Sequence, residues 1–185
     1  MRFNKYPHLE GLHASFSASQ PHWLRYDDEK AIETYYNKQA ANLGTRLHAY
    51  AKDAIDLRIK QPRSKKTLYA YINDAIGFKM QTEVVLFYSM NFFGTADAIL
   101  FKDNFLRIHD LKTGKGPVKK EQLLVYAALF CLEYKIRPGD LKGCECRIYQ
   151  NDDVDIFELT AEHIAPVMDR IVYLDKLFNK LDKED

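Results

Sequence analysis

Helical periodicity dominates the first part of the chain. An acidic pair can cap a helix over residues 29–41, and Gly44-Thr45 then predicts that this helix breaks or restarts. A second apolar stripe at helical spacing follows, made of Leu47, Ala51, Ala54, Ile55 and Ile59. Pro62 ends that pattern, and residues 66–77 predict a shorter helix that closes at Gly77.

The pattern changes to strands after this helical part. Runs of β-branched and aromatic residues predict strands at 83–88, 91–101, 105–111, 144–150 and 154–159. Asp103-Asn104 predicts a tight turn that makes the second and third strands antiparallel neighbours. Apolar patterns over residues 118–134 and 161–181 predict two more helices. This order is typical of an α/β fold with a central mixed β-sheet flanked by helices.

Length and composition narrow the class of protein. A chain of 185 residues suits a single domain, mainly helical over residues 1–78, with the sheet core and C-terminal helices over 79–185. The formal net charge of +1 argues against a purely electrostatic nucleic-acid binder. The N-terminus is polar, and no apolar run reaches the roughly 18 residues of a transmembrane helix. These features predict a cytoplasmic protein without a membrane partner.

Cysteine usage points away from disulfides. The chain has three cysteines, Cys131, Cys144 and Cys146, and an odd number without a secretory signal does not suit a disulfide framework. One residue separates Cys144 from Cys146, which is too tight for the usual zinc knuckle. We expect free thiols with a structural role, and the same expectation applies to His109 and His163.

Two aspartates in the predicted hairpin carry the candidate chemistry. Asp97 lies inside a strand pattern, where a charge is costly unless it is paired or binds a metal. The turn at Asp103-Asn104 places Asp97 across from Asp110, where the two carboxylates repel each other. A divalent cation between them removes this repulsion, and Mg²⁺ commonly uses a couple of carboxylates together with water.

Lys112 leaves the same strand face as Asp110, two residues further along. Its ammonium can orient an attacking water or stabilise negative charge that builds on a phosphoryl group. A metal in this position lowers the pKa of water and neutralises phosphate charge. The three residue types together therefore favour hydrolysis of phosphodiesters.

Longer motifs around these residues are similar to those of a known family. Gly94-Thr95-Ala96-Asp97, then Asp110-Leu111-Lys112-Thr113-Gly114, then residues 122–127 (Gln-Leu-Leu-Val-Tyr-Ala) resemble the RecB-type signature of the PD-(D/E)XK nuclease superfamily. Gly44-Thr45-Arg46-Leu47-His48 is similar to the helix motif that supplies a histidine to the metal site in that family. The resemblance implies a restriction-endonuclease-like core.

The resemblance also implies roles for individual residues. The implied metal ligands are His48, Asp97, Asp110 and the backbone carbonyl of Leu111, for Mg²⁺ with Mn²⁺ able to substitute. Lys112 is the implied catalytic lysine, and Gln122 and Tyr126 are implied to contact the active site or substrate. Glu83 resembles the acidic residue that often opens the strand before Gly-x-x-Asp, so it is a possible further site residue. Nearby cations that can contact DNA phosphates are Arg46, Lys115, Lys119 and Lys120.

One departure from the family concerns iron–sulfur clusters. Many RecB-like nucleases hold a cluster with four cysteines, whereas this chain has three, none before residue 131. We therefore expect no cluster, and compact phage recombination exonucleases are the better match. The implied activity is exonucleolytic degradation of linear double-stranded DNA in recombination or repair, with a recombination or single-strand-annealing protein as a candidate partner. The alternatives are a structure-specific or restriction-like endonuclease and an inactive, nuclease-derived DNA-binding module.

Overall fold

The computed structural model describes residues 5–9 and 14–181. The chain divides into two compact units, Met1–Thr45 and Arg46–Asp185. Within the described ranges, no helix combines the length and the apolar character that crossing a bilayer requires.

The first unit contains two short 3-10 helices, Pro7–Leu9 and Pro21–Arg25, followed by the start of helix α1. Trp23 donates its indole N–H to the backbone oxygen of Ser17 at 2.9 Å and meets Phe16 edge-on, so the indole packs within its own unit. The carboxylate of Asp27 accepts a hydrogen bond from the backbone N–H of Lys30 at 2.7 Å. Asp27 therefore caps α1, as the sequence predicted.

Helix α1 is continuous over Asp28–Asp56, so the break or restart predicted at Gly44-Thr45 is wrong. Thr45 does not cap a new helix, because its hydroxyl donates to the carbonyl oxygen of Ala41 at 3.2 Å, inside the same helix. A glycine in a helix interior costs only about 1 kcal/mol, which the flanking turns can offset. The two local signals are therefore overridden by their helical context.

The five-stranded sheet forms in chain order, β1-β2-β3-β4-β5. Its strands are β1 (Gln81–Ser89), β2 (Phe92–Lys102), β3 (Phe105–Leu111), β4 (Gly143–Gln150) and β5 (Asp153–Glu158). All neighbouring strands are antiparallel except β3 and β4, which are parallel. Both residues of the Asp103-Asn104 turn have positive φ, 54° and 62°, as the two-residue hairpin predicted from the sequence requires.

Helices cover both faces of the sheet. The second half of α1 and helix α2 (Thr67–Phe78) enclose one core with Ala98, Leu111 and Tyr149 of the sheet. Helices α3 (Glu121–Glu133) and α4 (Ala161–Leu181) contribute to a second core that contains Leu106 and Ile108. Helix α3 forms the crossover that the parallel pair β3 and β4 requires. The predicted α/β fold, a mixed sheet flanked by helices, is confirmed.

Basic residues with left-handed backbone follow α1 and α2. Arg58 has a φ of 56° and Lys79 a φ of 62°. The prediction that Gly77 closes α2 is wrong, because α2 continues to Phe78 and the backbone N–H of Lys79 makes the capping hydrogen bonds. Left-handed backbone costs a side-chain-bearing residue about 1–2 kcal/mol. The partial negative charge at a helix C-terminus favours a cation there and offsets part of that cost.

The packing of α3 makes a stability prediction. Leu123 is fully buried in the core that α3 shares with the sheet, whereas Val125 of the same helix is 38% exposed. Leu123→Ala is expected to lower the free energy of unfolding by about 2–5 kcal/mol, because it leaves a cavity. Val125→Ala is the matched control and should cost less than about 1 kcal/mol. Urea denaturation measures both losses, and equal losses would contradict the packing described.

Candidate functional site

Three acidic residues face one another across neighbouring strands. The β1–β2 ladder pairs Thr82 with Ala98 and Val84 with Ala96, so Glu83 lies opposite Asp97. The β2–β3 ladder ends at the pair Ala98–His109, so Asp97 and Asp110 lie just beyond its last pair. The charge of Asp110 contributes to the raised pKa of Asp97, so the two carboxylates lie near each other. That both project from the same face of the sheet stays a prediction.

Glu83 interrupts the regular pairing of β1. Its φ is 50°, in the left-handed region, and its neighbours on either side keep the same pairing register. Such a conformation costs a residue with a side chain about 1–2 kcal/mol. Strain of this kind tends to persist at functional sites, where the surrounding structure maintains it. The unusual backbone therefore singles out Glu83 in a way that the residue pattern did not.

His48, Glu83 and Asp97 form a group that could hold a metal ion. One possible ligand atom from each lies within 4.8 Å of the others. His48 reaches the group from the second unit's part of α1, and its Nδ1 lies 3.6 Å from Oδ2 of Asp97. One imidazole nitrogen and two carboxylates are chemically suitable for a divalent cation. The structure thus brings two predicted ligands together with Glu83, which the sequence indicated only as a possible site residue.

Asp97 is the most strongly perturbed acid of this group. Oδ2 of Asp97 accepts a hydrogen bond from the backbone N–H of Leu111 at 2.8 Å. Burial, followed by the charge of Asp110, raises the pKa of Asp97 to about 6, although the Leu111 N–H and His48 act in the opposite direction. The carboxylate therefore lacks enough local positive charge, and a bound cation would supply it. The Leu111 carbonyl remains a predicted ligand.

Asp110 pairs with Lys112 instead of joining the His48–Glu83–Asp97 group. Lys112 Nζ donates to Oδ1 of Asp110 at 3.1 Å and lies 2.9 Å from Oδ2, without hydrogen-bond geometry to that atom. The Asp110 side chain is almost fully buried, and Oδ2 accepts no hydrogen bond from the described residues. Buried carboxylate oxygens normally have a partner. Oδ2 of Asp110 is thus paired with the Lys112 ammonium by charge alone, without a hydrogen bond.

A chain of hydrogen bonds continues from Lys112 to α3. Lys112 Nζ donates to Oε1 of Gln122 at 2.8 Å, and Nε2 of Gln122 donates to the Tyr126 hydroxyl at 2.9 Å. The amide of Gln122 therefore has a fixed orientation, with its oxygen towards the ammonium. Partial burial raises the pKa of Tyr126, so its hydroxyl stays protonated at neutral pH. The four predicted residues Asp110, Lys112, Gln122 and Tyr126 form one connected array.

Gly94 makes room for this array. A Cβ atom on Gly94 would lie 2.9 Å from Cε1 of Tyr126, which is closer than van der Waals contact allows. The ring of Tyr126 therefore lies directly over the Gly94 backbone. This contact gives a physical reason for the glycine that stands three residues before Asp97.

The predicted DNA-contacting cations are exposed. Arg46 is exposed on α1, and Lys115 and Lys119 are exposed in the loop after β3. Lys120 forms an ion pair with Asp155 at 2.7 Å and lies over the ring of Phe157, so part of its charge is already compensated. Their contact with DNA remains a prediction.

Gln150 holds the glycine-containing loop after β3 in place. Its Nε2 donates to the carbonyl oxygen of Gly116 at 2.9 Å and also to that of Gly114. The loop that carries Lys115 is therefore tied to β4 next to the catalytic candidates.

A buried polar network supports β3 from the other side. His109 Nδ1 lies 3.2 Å from the Tyr149 hydroxyl, which donates to Asp74 at 2.7 Å. Arg147 binds the same carboxylate oxygen at 3.0 Å. Burial and the charges of Arg147 and Arg107 lower the pKa of His109 to about 3, so its imidazole is neutral. This network lies directly behind the strand that carries Asp110, and of its members only His109 was expected to be structural.

The cysteines are free thiols, as predicted, and the structure shows that all three are buried. Burial raises the pKa of Cys131 to about 12. The hydrogen bond between Cys144 and Cys146, followed by burial, raises the pKa of Cys146 well above its usual range. These thiols therefore stay protonated at neutral pH. The other histidine expected to be structural, His163, accepts the backbone N–H of Thr160 at 3.1 Å at the start of α4.

Comparison with known proteins adds one match. Residues 85–176, just under half of the chain, match the sequence model of a family described as a protein of unknown function (DUF2800). The matched region includes the array from Asp97 to Tyr126, while His48 and Glu83 lie outside it. Neither curated proteins nor solved structures give a significant match. The family description states no activity, so this similarity carries no information about chemistry.

The raised pKa of Asp97 makes a prediction about pH in metal-free protein. Its folded-state value of about 6 exceeds the ordinary 3.8, so the folded state holds the proton more tightly than the unfolded state. Stability should therefore fall as pH rises from about 4 to about 6, by at most about 1.4 kcal/mol per pH unit, and stay low above that window. The free energy of unfolding of Asp97→Asn, measured with urea in EDTA, should not show the loss that Asp97 causes between these pH values. Parallel plots of stability against pH for the wild type and the variant would contradict this prediction.

The metal group makes a second prediction. Calorimetric titration with Mn²⁺ should show binding to the wild type, weakened at least about tenfold in Glu83→Gln and in Asp97→Asn. Asp110→Ala should weaken binding as well, because Asp110 is a further predicted ligand. Asp53→Asn, an exposed acid of α1 outside the group, is the matched control. Undiminished Mn²⁺ binding in all three site variants would disprove the site.

Proposed function

We propose that this protein is a metal-dependent deoxyribonuclease that hydrolyses DNA phosphodiester bonds. The observation that carries the proposal is the convergence of two arrays at one end of the hairpin. His48, Glu83 and Asp97 form a group suited to a divalent cation. Asp110, whose charge acts on Asp97, accepts a hydrogen bond from Lys112, the first residue of the Lys112–Gln122–Tyr126 chain. The resemblance to the RecB-type motifs supports the same activity from the sequence.

The first array provides ligands. His48, Glu83 and Asp97 would hold Mg²⁺ or Mn²⁺, with Oδ2 of Asp110 as a further acceptor. When bound, the cation supplies Lewis-acid stabilisation of phosphate charge and makes water a better nucleophile at neutral pH. The Leu111 N–H orients the Asp97 carboxylate through its hydrogen bond to Oδ2. His48 lies against the same oxygen, so Oδ2 of Asp97 has a neighbour from α1 and one from β3.

The second array positions a proton donor. Lys112 has two acceptors, Asp110 and Gln122, which together fix its ammonium at the edge of the acidic group. From there the ammonium can stabilise negative charge on a phosphoryl oxygen or orient the attacking water. Gln122 accepts from Lys112 and is itself held by Tyr126. Gln122 and Tyr126 therefore act as positioning residues for the lysine.

The substrate part of the proposal is linear double-stranded DNA, degraded from an end. Exposed Lys115 and Lys119 flank the array on a loop that is anchored by Gln150, which suits contacts to backbone phosphates. The resemblance to compact phage exonucleases supports attack from an end and a purpose in recombination or repair. A recombination or single-strand-annealing protein is the partner that this purpose implies.

Loss of the lysine tests the chemistry. On an end-labelled linear duplex with Mg²⁺, Lys112→Ala should lower the cleavage rate by at least about 100-fold, the scale for losing one charge-stabilising group. Lys102→Ala, an exposed lysine at the far end of the same hairpin, should cleave at the wild-type rate. Equal rates for wild type and Lys112→Ala would overturn the assigned role, and a wild type inactive with both Mg²⁺ and Mn²⁺ would overturn the function.

The direction of attack is tested with DNA topology. An exonuclease should degrade linear duplex and leave covalently closed circles of the same sequence intact. Nicking or linearisation of the circle at a comparable rate would identify an endonuclease with the same site chemistry. Binding without cleavage of either form would identify a DNA-binding module.

A further inference from the structure

A second site candidate lies next to the metal group, where α1 and α2 end and β1 begins. It is a recess of about 420 Å³ within the second unit. Its floor is apolar and consists of Ile55, Ala75, Ile76 and Met80. Its rim carries three cations, Lys52, Arg58 and Lys79. A recess with an apolar floor and a cationic rim fits an anionic ligand that also has an apolar part.

The charge balance of the recess is positive. Asp56 is the one carboxylate among the lining residues, and it is already bound by Lys52 and by the Thr82 hydroxyl, the latter at 2.6 Å. Within the described residues, neither Arg58 nor Lys79 forms an ion pair, and both are exposed. The C-termini of α1 and α2 contribute roughly half a negative charge each, which reduces the formal +2 of the lining residues but does not cancel it. Two cations therefore remain available to a ligand.

The recess borders the metal group directly. Lys52 follows His48 by four residues on α1, which is about one helical turn, or roughly 6 Å along the axis. On β1, Thr82 of the recess precedes Glu83 of the metal group. The charge of Glu83 also contributes to the raised pKa of Lys52, although the hydrogen bond to Asp56 is the main cause. A polymer bound at one position is thus within reach of the other.

A basic connection extends from the recess. Residues 57–66 contain five basic residues and no acidic one: Arg58, Lys60, Arg63, Lys65 and Lys66. The segment is fixed to α2, because the backbone N–H of Gln61 donates to the Asn73 side chain at 2.9 Å and Asn73 donates back to the Gln61 carbonyl at 3.0 Å. The connection between α1 and α2 is therefore anchored at Gln61, and it concentrates positive charge in a chain whose net charge is only +1.

We propose that this recess binds a backbone phosphate of the DNA, next to the phosphodiester bond that is cut. Arg58 and Lys79 would contact the phosphate, and the deoxyribose would pack on Ile55 and Met80. The 57–66 connection would then follow the strand away from the site. This inference rests on the proposed nuclease function, but it concerns binding and not the cleavage step. Contacts of this kind position DNA without reading its sequence.

Salt dependence of binding tests the recess. In a Lys112→Ala background with Mg²⁺, the Arg58→Gln/Lys79→Gln variant should bind a fluorescent duplex at least tenfold more weakly. The slope of log K against log[salt] should fall by about 1.8, at 0.9 for each of two lost phosphate contacts. The matched control is Lys176→Gln/Lys180→Gln, two exposed lysines on α4, which should change neither value. An unchanged affinity and slope in the recess variant would overturn the proposal.

A phosphate-by-phosphate scan identifies the ligand. Duplexes with one neutral methylphosphonate at successive positions should bind the parent protein more weakly at one or two positions near the cleaved bond. Methylphosphonates at the same positions should not change the affinity of the Arg58→Gln/Lys79→Gln variant, because the cations that contact those phosphates are absent. A recess that serves free phosphate instead would bind inorganic phosphate and show no position dependence, and this outcome would also overturn the proposal.

Cleavage by the otherwise wild-type chain separates the two failures. If the wild type cuts linear duplex and the recess variant shows an unchanged KM, the recess proposal fails and the nuclease function stands. In the second case, the wild type cuts no DNA, but the recess variant binds DNA more weakly and no longer responds to the methylphosphonates. The nuclease function then fails and the recess remains a DNA-phosphate site.

Discussion

Mutual repulsion among acidic side chains at one end of the sheet is the constraint on which the site depends. Glu83, Asp97 and Asp110 lie on three adjacent strands, and the charges of Glu83 and Asp110 both act on Asp97. Asp97 and Asp110 are buried enough for the repulsion to be weakly screened. The protein compensates only part of this charge, through the Leu111 N–H, His48 and Lys112. Because part of this negative charge stays uncompensated, the arrangement persists only if the rest of the fold stabilises it. The ligand that such a group prefers is a cation.

The register of one hairpin controls the whole arrangement. The two-residue turn at Asp103-Asn104 determines which residues of β2 and β3 face each other, and a shift by one residue would move Asp97 to the opposite side of the sheet. The network of His109, Tyr149 and Asp74 holds β3 on the face away from Gln122, so the catalytic strand is fixed from both sides. Fold stability and site geometry therefore depend on the same ladder.

Much of this could be predicted from the sequence because it follows from local rules. Alternation and turn residues predicted the strands, and the Asp103-Asn104 turn predicted the antiparallel pairing of β2 with β3. The left-handed backbone of Glu83 could not be predicted, because it depends on how β1 fits the sheet and not on its residue pattern. Nor could the recess, whose lining comes from separate segments that meet only in the folded chain. Helix α1 shows a different kind of error. Gly44-Thr45 is a valid local signal for a helix break, but the helix on both sides continues through it.

The close approach of Tyr126 to Gly94 has a consequence for how this protein can vary. The aromatic ring occupies the volume that any side chain at position 94 would need, so the two positions share one space. A relative that carries alanine or serine at 94 would have to shift the ring at 126 or carry a smaller residue there, and either change would disturb the hydroxyl that holds the amide of Gln122. Across related sequences, the sizes of these two residues should therefore be inversely correlated, although they lie 32 positions apart in the chain.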